Sequence, residues 1–153
     1  MGVKNYLIEG VSGAGKTAMA EELQRRGCHV IHGDRELAYV GDPGTGEPLE
    51  LPAHESLADS VEWLNKHWIW PVDKVRALIA DQGNPISFFC GGSRNFLHFI
   101  DLFDVVFVLD VDPATLNRRL AARPEDEFGG RPAERELIAR LHATKEDIPR
   151  NAV

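Results

Sequence analysis

An α/β fold, with about four to five strands in a mostly parallel sheet and helices on both faces, is predicted by two features of this sequence. Short, nearly all-apolar segments recur along the chain and alternate with segments whose apolar residues fall at helical spacings. The first apolar segment also runs directly into a glycine-rich stretch, GVSGAGKT at residues 10–17, which opens a helix-forming sequence.

Taken in order, residues 3–8 read as a buried strand and the following helix ends near Gly27, with Met19 and Leu23 on its inner side. Residues 28–32 form a second strand. Residues 41–53, GDPGTGEPLELPA, are rich in turn formers and predict a long loop. Ser56 with Asp59 resembles a capping box, and Leu57, Val61, Leu64 and Trp68 continue as one helical stripe. This places Trp68 in the core, while Trp63 and Trp70 fall off the stripe and either pack structurally or line a substrate cavity. Pro71 opens a helix carrying Val72, Val75 and Ile79. Residues 86–90 and 105–109 are the third and fourth strands. Asp112 and Pro113 start a helix with Leu116 and Leu120 inward, residues 123–132 form a polar loop, and the last helix spans about 133–147 with Leu137, Ile138 and Leu141 inward.

The chain has 153 residues, enough for one domain and one core. Its 24 Asp and Glu against 17 Lys and Arg give a net charge of −7, which argues against a nucleic-acid groove and for a small-molecule partner. No apolar run reaches the roughly 18 residues of a membrane span, and the N-terminus lacks a signal-peptide layout. The expectation is a soluble, cytoplasmic protein, free of nucleic acid and membrane, and a monomer or weak homodimer. Cys28 and Cys90 lack metal-ligand spacing and read as buried free thiols, and the six His show no metal spacing either.

Gly10 to Thr17 spell G-x-x-x-x-G-K-T, the P-loop signature, between a strand and a helix. This sharpens the fold to a P-loop NTPase three-layer sandwich. Gly10, Gly13 and Gly15 permit backbone conformations that point successive N–H groups at an anion, and the helix beginning near Lys16 adds the positive end of its dipole. Gly10, Ser12, Gly13, Ala14, Gly15, Lys16, Thr17 and Ala18 are the candidate nucleotide-binding residues. Lys16 would reach the β- and γ-phosphates of ATP, and the Thr17 hydroxyl would ligate Mg²⁺.

Ligands of open parallel sheets bind beyond the carboxyl ends of the strands, so HGDRE at 32–36, GGSR at 91–94 and the loop from Arg123 converge on the P-loop. Asp34 either orients a substrate hydroxyl and draws off its proton or caps the helix after it. Gly91 and Gly92 allow close approach of a ligand, while Arg94 offers a planar fork to a carboxylate, phosphate or vicinal hydroxyls. Arg118, Arg119, Arg123, Arg131 and Arg135 gather around one loop. Arg123 and Arg131 bracket it, with Gly129 and Gly130 as hinges, in the manner of an arginine-rich lid over transferring phosphate. Asp112 reads as a helix cap rather than a metal ligand.

With GVSGAGKT, GDRELAY, FFCGGSRNF and RPEDEFGGRPAEREL assembled, the chain resembles the small P-loop kinases of the shikimate, gluconate and adenylate kinase group, especially short bacterial AAA-family ATPases and nucleoside kinases. By that resemblance Asp34 matches a substrate-binding Asp, Gly91 and Gly92 match two of three glycines, and Arg123 matches the arginine entering the lid. His32 and Ser93 stand where the group has an acidic residue and a third glycine, and the third strand offers no Walker B Asp.

The function these readings predict is an ATP-dependent, Mg²⁺-requiring phosphotransferase acting on a hydroxyl of a small metabolite or nucleoside. Lys16, Asp34, Arg123 and Arg131 are its candidate catalytic residues. Arg119 joins the nucleotide site, and Asp34, Arg35, Gly91, Gly92 and Arg94 form the acceptor site. A nucleoside monophosphate kinase would use Arg94 and Arg35 for an acceptor phosphate, and a nucleotide-dependent switch would need no acceptor. The resemblance further implies a fifth strand and helix after the last helix, of which residues 148–153 are long enough only to begin the strand.

Overall fold

The computed structural model describes residues 4–53, 56–124, 127–145 and 147–149. Strand β1 (Lys4–Glu9) is followed by helix α1 (Lys16–Arg25), β2 (His29–His32), the short α2 (Gly33–Glu36) and β3 (Tyr39–Val40). Then come α3 (Leu57–Lys66), β4 (Trp68–Ile69), α4 (Val72–Ala80), β5 (Ile86–Cys90), two 3₁₀ turns, β6 (Val105–Val108), α5 (Pro113–Ala121) and α6 (Pro132–Thr144). The main sheet has the order β2-β5-β1-β6 and every pairing in it is parallel. The expected number and direction of strands are met.

Neighbouring strand residues point to opposite sides, and an apolar cluster packs on each face of this sheet. Leu7, Ile31, Phe89 and Val106 share a core with Leu37, Trp70, Val75, Phe99 and Phe103. On the opposite face Ile8, Val30 and Cys90 pack against Ala20 and Leu23 of α1. Met19, predicted inward, is 38 % exposed, because the face of α1 that meets the sheet is centred on Ala20. Helices α5 and α6 meet through Leu116, Leu120 and Ile138, and α6 meets α3 through Leu137, Leu141 and Val61. Ser56 caps α3 by accepting from the Asp59 N–H at 3.1 Å, and Asp112 caps α5 by accepting from the Thr115 N–H at 2.9 Å.

Trp68 is not a core residue, Trp70 is, and Trp63 stacks on His67 with ring centroids 4.1 Å apart. The side chain of Trp70 is 1 % exposed and its ring stacks on Phe99 with centroids 5.8 Å apart, whereas Trp68 is half-buried beside a cavity. The helical stripe stops at Lys66, and Trp68 belongs to β4, which pairs antiparallel with β3. Trp68 within β4 borders the cavity, while Trp70, just past the end of that strand, turns into the core. The long loop begins as a pinned hairpin: Gly41 bridges Pro48, and the Asp42 carboxylate accepts from the N–H groups of Gly44 and Thr45. Both cysteines are free; Cys90 is buried and Cys28 only partly so. The last helix ends at Thr144 rather than Asp147, with Lys145 in the left-handed conformation at φ 57°. Residues 150–153, on which the fifth-strand expectation chiefly turns, lie outside the described residues.

Candidate functional site

The loop between β1 and α1 bends where the glycines allow it: φ is 149° at Gly10, 92° at Gly13 and 109° at Gly15. A Cβ on Gly10 would stand 2.8 Å from the Leu109 carbonyl oxygen, and one on Gly13 would stand 2.8 Å from Leu116 Cδ1. These positions are closed to other residues by both conformation and space. Lys16 folds over the loop and donates from Nζ to the Gly10 carbonyl. Ala14 is buried, its N–H donating to the Val11 carbonyl, while Ser12, Gly13, Gly15, Thr17 and Ala18 border a cavity of about 720 Å³.

That cavity lies beyond the carboxyl ends of β1, β2 and β5 and collects most of the predicted site. Asp34, Gly92, Arg94, Arg119 and Arg123 line it together with Lys16. Asp34 makes no capping bond in α2; its Oδ1 accepts from Trp68 Nε1 at 3.2 Å. Gly91, with φ 144°, sits just behind, where a Cβ would fall 3.0 Å from the Trp70 ring and 3.1 Å from Asp34 Oδ1. Arg119 Nη1 donates to the Gly13 carbonyl at 3.0 Å. Arg123 Nη1 reaches Ser12 Oγ at 2.7 Å and the Phe128 carbonyl at 2.6 Å.

Two predicted residues are placed elsewhere. Arg35 is exposed and lies 4.0 Å from Glu21 of α1, and Arg131 is exposed at the N-cap of α6, where its N–H donates to Glu134 Oε1 at 3.2 Å. Nor are the expected hinges loose: Gly129 and Gly130 are buried, with Gly129 donating to Glu134 Oε1 and the Gly130 carbonyl accepting from Arg135.

Sequence reading missed Glu9, Asn65 and Asp147, all of which line the cavity. Glu9 is 2 % exposed at the end of β1, accepts from the Gly10 N–H at 3.3 Å through Oε2, and has Oε1 buried without a hydrogen bond. Burial raises its pKa to about 7, against the opposing pull of Lys16 and Arg94. Burial likewise lowers the pKa of Lys16, while the charges of Glu9 and Asp34 act to raise it. A Cβ on Gly92 would be 3.0 Å from Glu9 Oε2 and 3.1 Å from Arg94 Nη2, so the absence of a side chain there leaves the two groups room. A glutamate immediately preceding the P-loop was the available signal for this residue.

Among the described residues no cluster of three His, Cys, Asp or Glu is disposed to hold a metal. The donors present fit Mg²⁺ held mainly by nucleotide phosphates and water: the Thr17 hydroxyl and the Glu9 and Asp34 carboxyls border one cavity, and Glu9 Oε1 lacks a partner.

Sheet order, strand–loop–helix geometry and glycine conformation together define a P-loop α/β protein. The AAA_18 family, an AAA domain, matches residues 7–140, and the chain belongs to that family. A gluconokinase from Sinorhizobium meliloti 1021 superposes with a TM-score of 0.50 at 19 % identity, covering 98 % of this chain and 78 % of its own. A protein assigned as a fructose transport system kinase from Silicibacter sp. TM1040 superposes with a TM-score of 0.55 at 15 % identity, covering 99 % and 89 %. The kinase-like P-loop fold is thereby shown. The HPr kinase/phosphorylase of Streptococcus thermophilus is 46 % identical over 50 residues, which are 31 % of this chain and 16 % of that protein. No helix among the described residues is long and apolar enough to cross a membrane.

Proposed function

We propose that this chain, as a single kinase-like domain, transfers the γ-phosphoryl group of ATP to a hydroxyl of a small acceptor. The observation that carries the reading is that Lys16, Glu9, Asp34 and Arg94 border one cavity at the carboxyl ends of the strands. Beside the lysine, one carboxyl suits the nucleotide's Mg²⁺ and the second is free to face an acceptor hydroxyl. The phosphates would lie on the N–H groups of residues 10–17, with Lys16 leaving the Gly10 carbonyl to meet them. Thr17, with Glu9 or Asp34 nearby, would help to hold Mg²⁺, which would supply charge neutralisation for the transfer.

Asp34 would orient the acceptor hydroxyl, itself held in place by the Trp68 indole. Glu9, with a pKa of about 7, suits receipt of the hydroxyl proton near neutral pH. Arg119 and Arg123, already bonded to Gly13 and Ser12, would meet the phosphates and help to exclude water. Positioning and electrostatics thus carry most of the acceleration. The test is ADP release with ATP and Mg²⁺, alone and with pools of sugars, sugar acids, nucleosides and nucleotides. Acceptor-dependent turnover is expected, and equal ADP release with and without every pool would overturn the proposal.

A further inference from the structure

Two of the three tryptophans have a ring packed against them and the third does not. Trp70 stacks on Phe99 and Trp63 on His67. Trp68 has no ring partner among the described residues and belongs to none of their apolar clusters. It is half-buried at the edge of the cavity.

The backbone holds this indole in place. The Trp68 carbonyl accepts from the Arg94 N–H at 2.8 Å, and two residues on the backbone of Trp70 exchanges hydrogen bonds with the Asn95 side chain. Trp68 Nε1 donates to Asp34 Oδ1 at 3.2 Å. An indole N–H lies in the plane of its ring, so Asp34 stands at the ring's edge and this bond occupies neither face.

The cavity is divided in its chemistry. Leu64 of α3, Ile138 and Leu141 of α6, and Phe128 join Trp68 as its apolar lining, while Glu9, Asp34 and Arg94 come from the carboxyl edge of the sheet. Glu9 Oε1 and Arg94 Nε and Nη1 are buried without a hydrogen bond, although Asp147 Oδ1 comes within 2.7 Å of Nη1. Asp147 Oδ2 accepts from Asn65 Nδ2 at 3.0 Å. A simple sugar carries hydroxyls around its whole ring, and those turned to Leu64, Ile138 or Leu141 would lose water without gaining a partner. A flat unsaturated ring on a hydroxylated arm divides as the cavity does. Its ring would lie on Trp68, and its oxygens would meet the unpaired atoms of Glu9 and Arg94.

Resting on the phosphotransferase reading above, we infer that Trp68 is a specificity-determining residue: the face of its indole carries a flat heteroaromatic ring of the acceptor, while its N–H fixes Asp34 beside the reacting hydroxyl. The acceptor is therefore of the nucleoside type, a base joined to a hydroxylated arm, and compounds without such a ring are poor substitutes.

The experiment compares adenosine, guanosine, cytidine and thymidine with ribose, glucose, fructose and gluconate as acceptors for the full chain by kcat/KM. One nucleoside at least should exceed every sugar by about tenfold or more, the worth of a base stacked on an aromatic ring. A sugar used as well as the best nucleoside overturns the inference and leaves the phosphotransferase reading intact. Trp68→Phe keeps a flat face and loses the N–H, so it should lower kcat more than it changes the nucleoside KM. Trp68→Leu should raise that KM by about tenfold or more, and an unchanged KM in the folded variant overturns the inference. A second readout needs no turnover: the tryptophan fluorescence of the native chain, its donor site filled with a non-hydrolysable ATP analogue, is titrated with each nucleoside and with ribose. Saturable quenching by a nucleoside and not by ribose is expected. Its absence with every nucleoside overturns the inference even if both variants fail to fold, and so does quenching that survives Trp68→Phe. If no acceptor of either set is phosphorylated, the phosphotransferase reading fails, and the titration by itself decides whether Trp68 holds a ring.

Discussion

Arg123 Nη1 donates to Ser12 Oγ at 2.7 Å and to the Phe128 carbonyl at 2.6 Å, so one guanidinium nitrogen ties the loop after α5 to the P-loop and to its own far end. Lysine offers a point charge without the planar fork. Arg123→Lys is expected to lower kcat by about 100-fold with a much smaller change in stability, since arginines on transferring phosphate contribute roughly 10³ to 10⁵. Ser12→Ala should cost far less, because the serine only supports the arginine. Turnover and melting curves on both variants check this, and equal losses would show that Ser12 matters more than the cation it positions.

Lys16→Ala should abolish nearly all phosphoryl transfer, at least about 1000-fold, with the fold retained. The lysine is desolvated, and its contact with the Gly10 carbonyl closes the loop without adding to any apolar cluster. Single-turnover assays beside a melting curve decide the matter. Activity within tenfold of the parent would remove the loop from the mechanism.

Glu9 links stability to pH. Its pKa rises from 4.5 in an exposed setting to about 7 when buried, so the folded state binds the proton more tightly than the unfolded state. The stabilisation is fully present below pH 4.5 and is lost as pH rises through about 7, up to about 3 kcal/mol at about 1.4 kcal/mol per unit. Glu9→Gln lacks this titration. Urea unfolding of both proteins between pH 5 and pH 8 should show the native chain losing stability relative to the variant as pH rises. Parallel profiles would contradict the burial of this carboxyl.

Gly33→Ala should destabilise the protein by about 2 to 3 kcal/mol through overpacking. An added Cβ would stand 2.1 Å from Trp70 Cζ2, and that ring cannot easily retreat. Its backbone exchanges hydrogen bonds with Asn95 at 3.1 and 2.8 Å, and its face lies on Phe99. Combining the change with Trp70→Phe should recover part of the loss. A double-mutant cycle measures the coupling, and strict additivity would refute the clash.

The architecture and the loop at residues 10–17 were readable because both depend on local pattern: apolar strands, helical stripes and glycines at fixed spacing. Asp34, Gly92, Arg94 and Arg123 were readable because they follow strands or bracket a loop at the ligand-binding edge. Glu9 carries no such mark, because the apolar run ends at Ile8, whereas β1 runs through Glu9 and buries it. The Asn65–Asp147 bond joins residues 82 positions apart through the packing of α3 against α6, which no local spacing encodes. Trp68 borders the cavity and not the core because the helical stripe stops at Lys66 and a two-residue strand follows.

The sheet order sets a timetable for synthesis. In the sheet β1 bonds only to β5 and β6, and β2 bonds only to β5. Neither of the first two strands of the main sheet touches the other, so a nascent chain that has emerged through residue 80 has no ladder of that sheet, only the short β3–β4 pair. Translation at about 5–20 residues per second leaves these apolar strands unpaired for several seconds, with slow non-local closure to follow. The loop at residues 10–17 therefore stands beside a paired β1 only after Ile86–Cys90, the strand that joins β1 to β2, has been made.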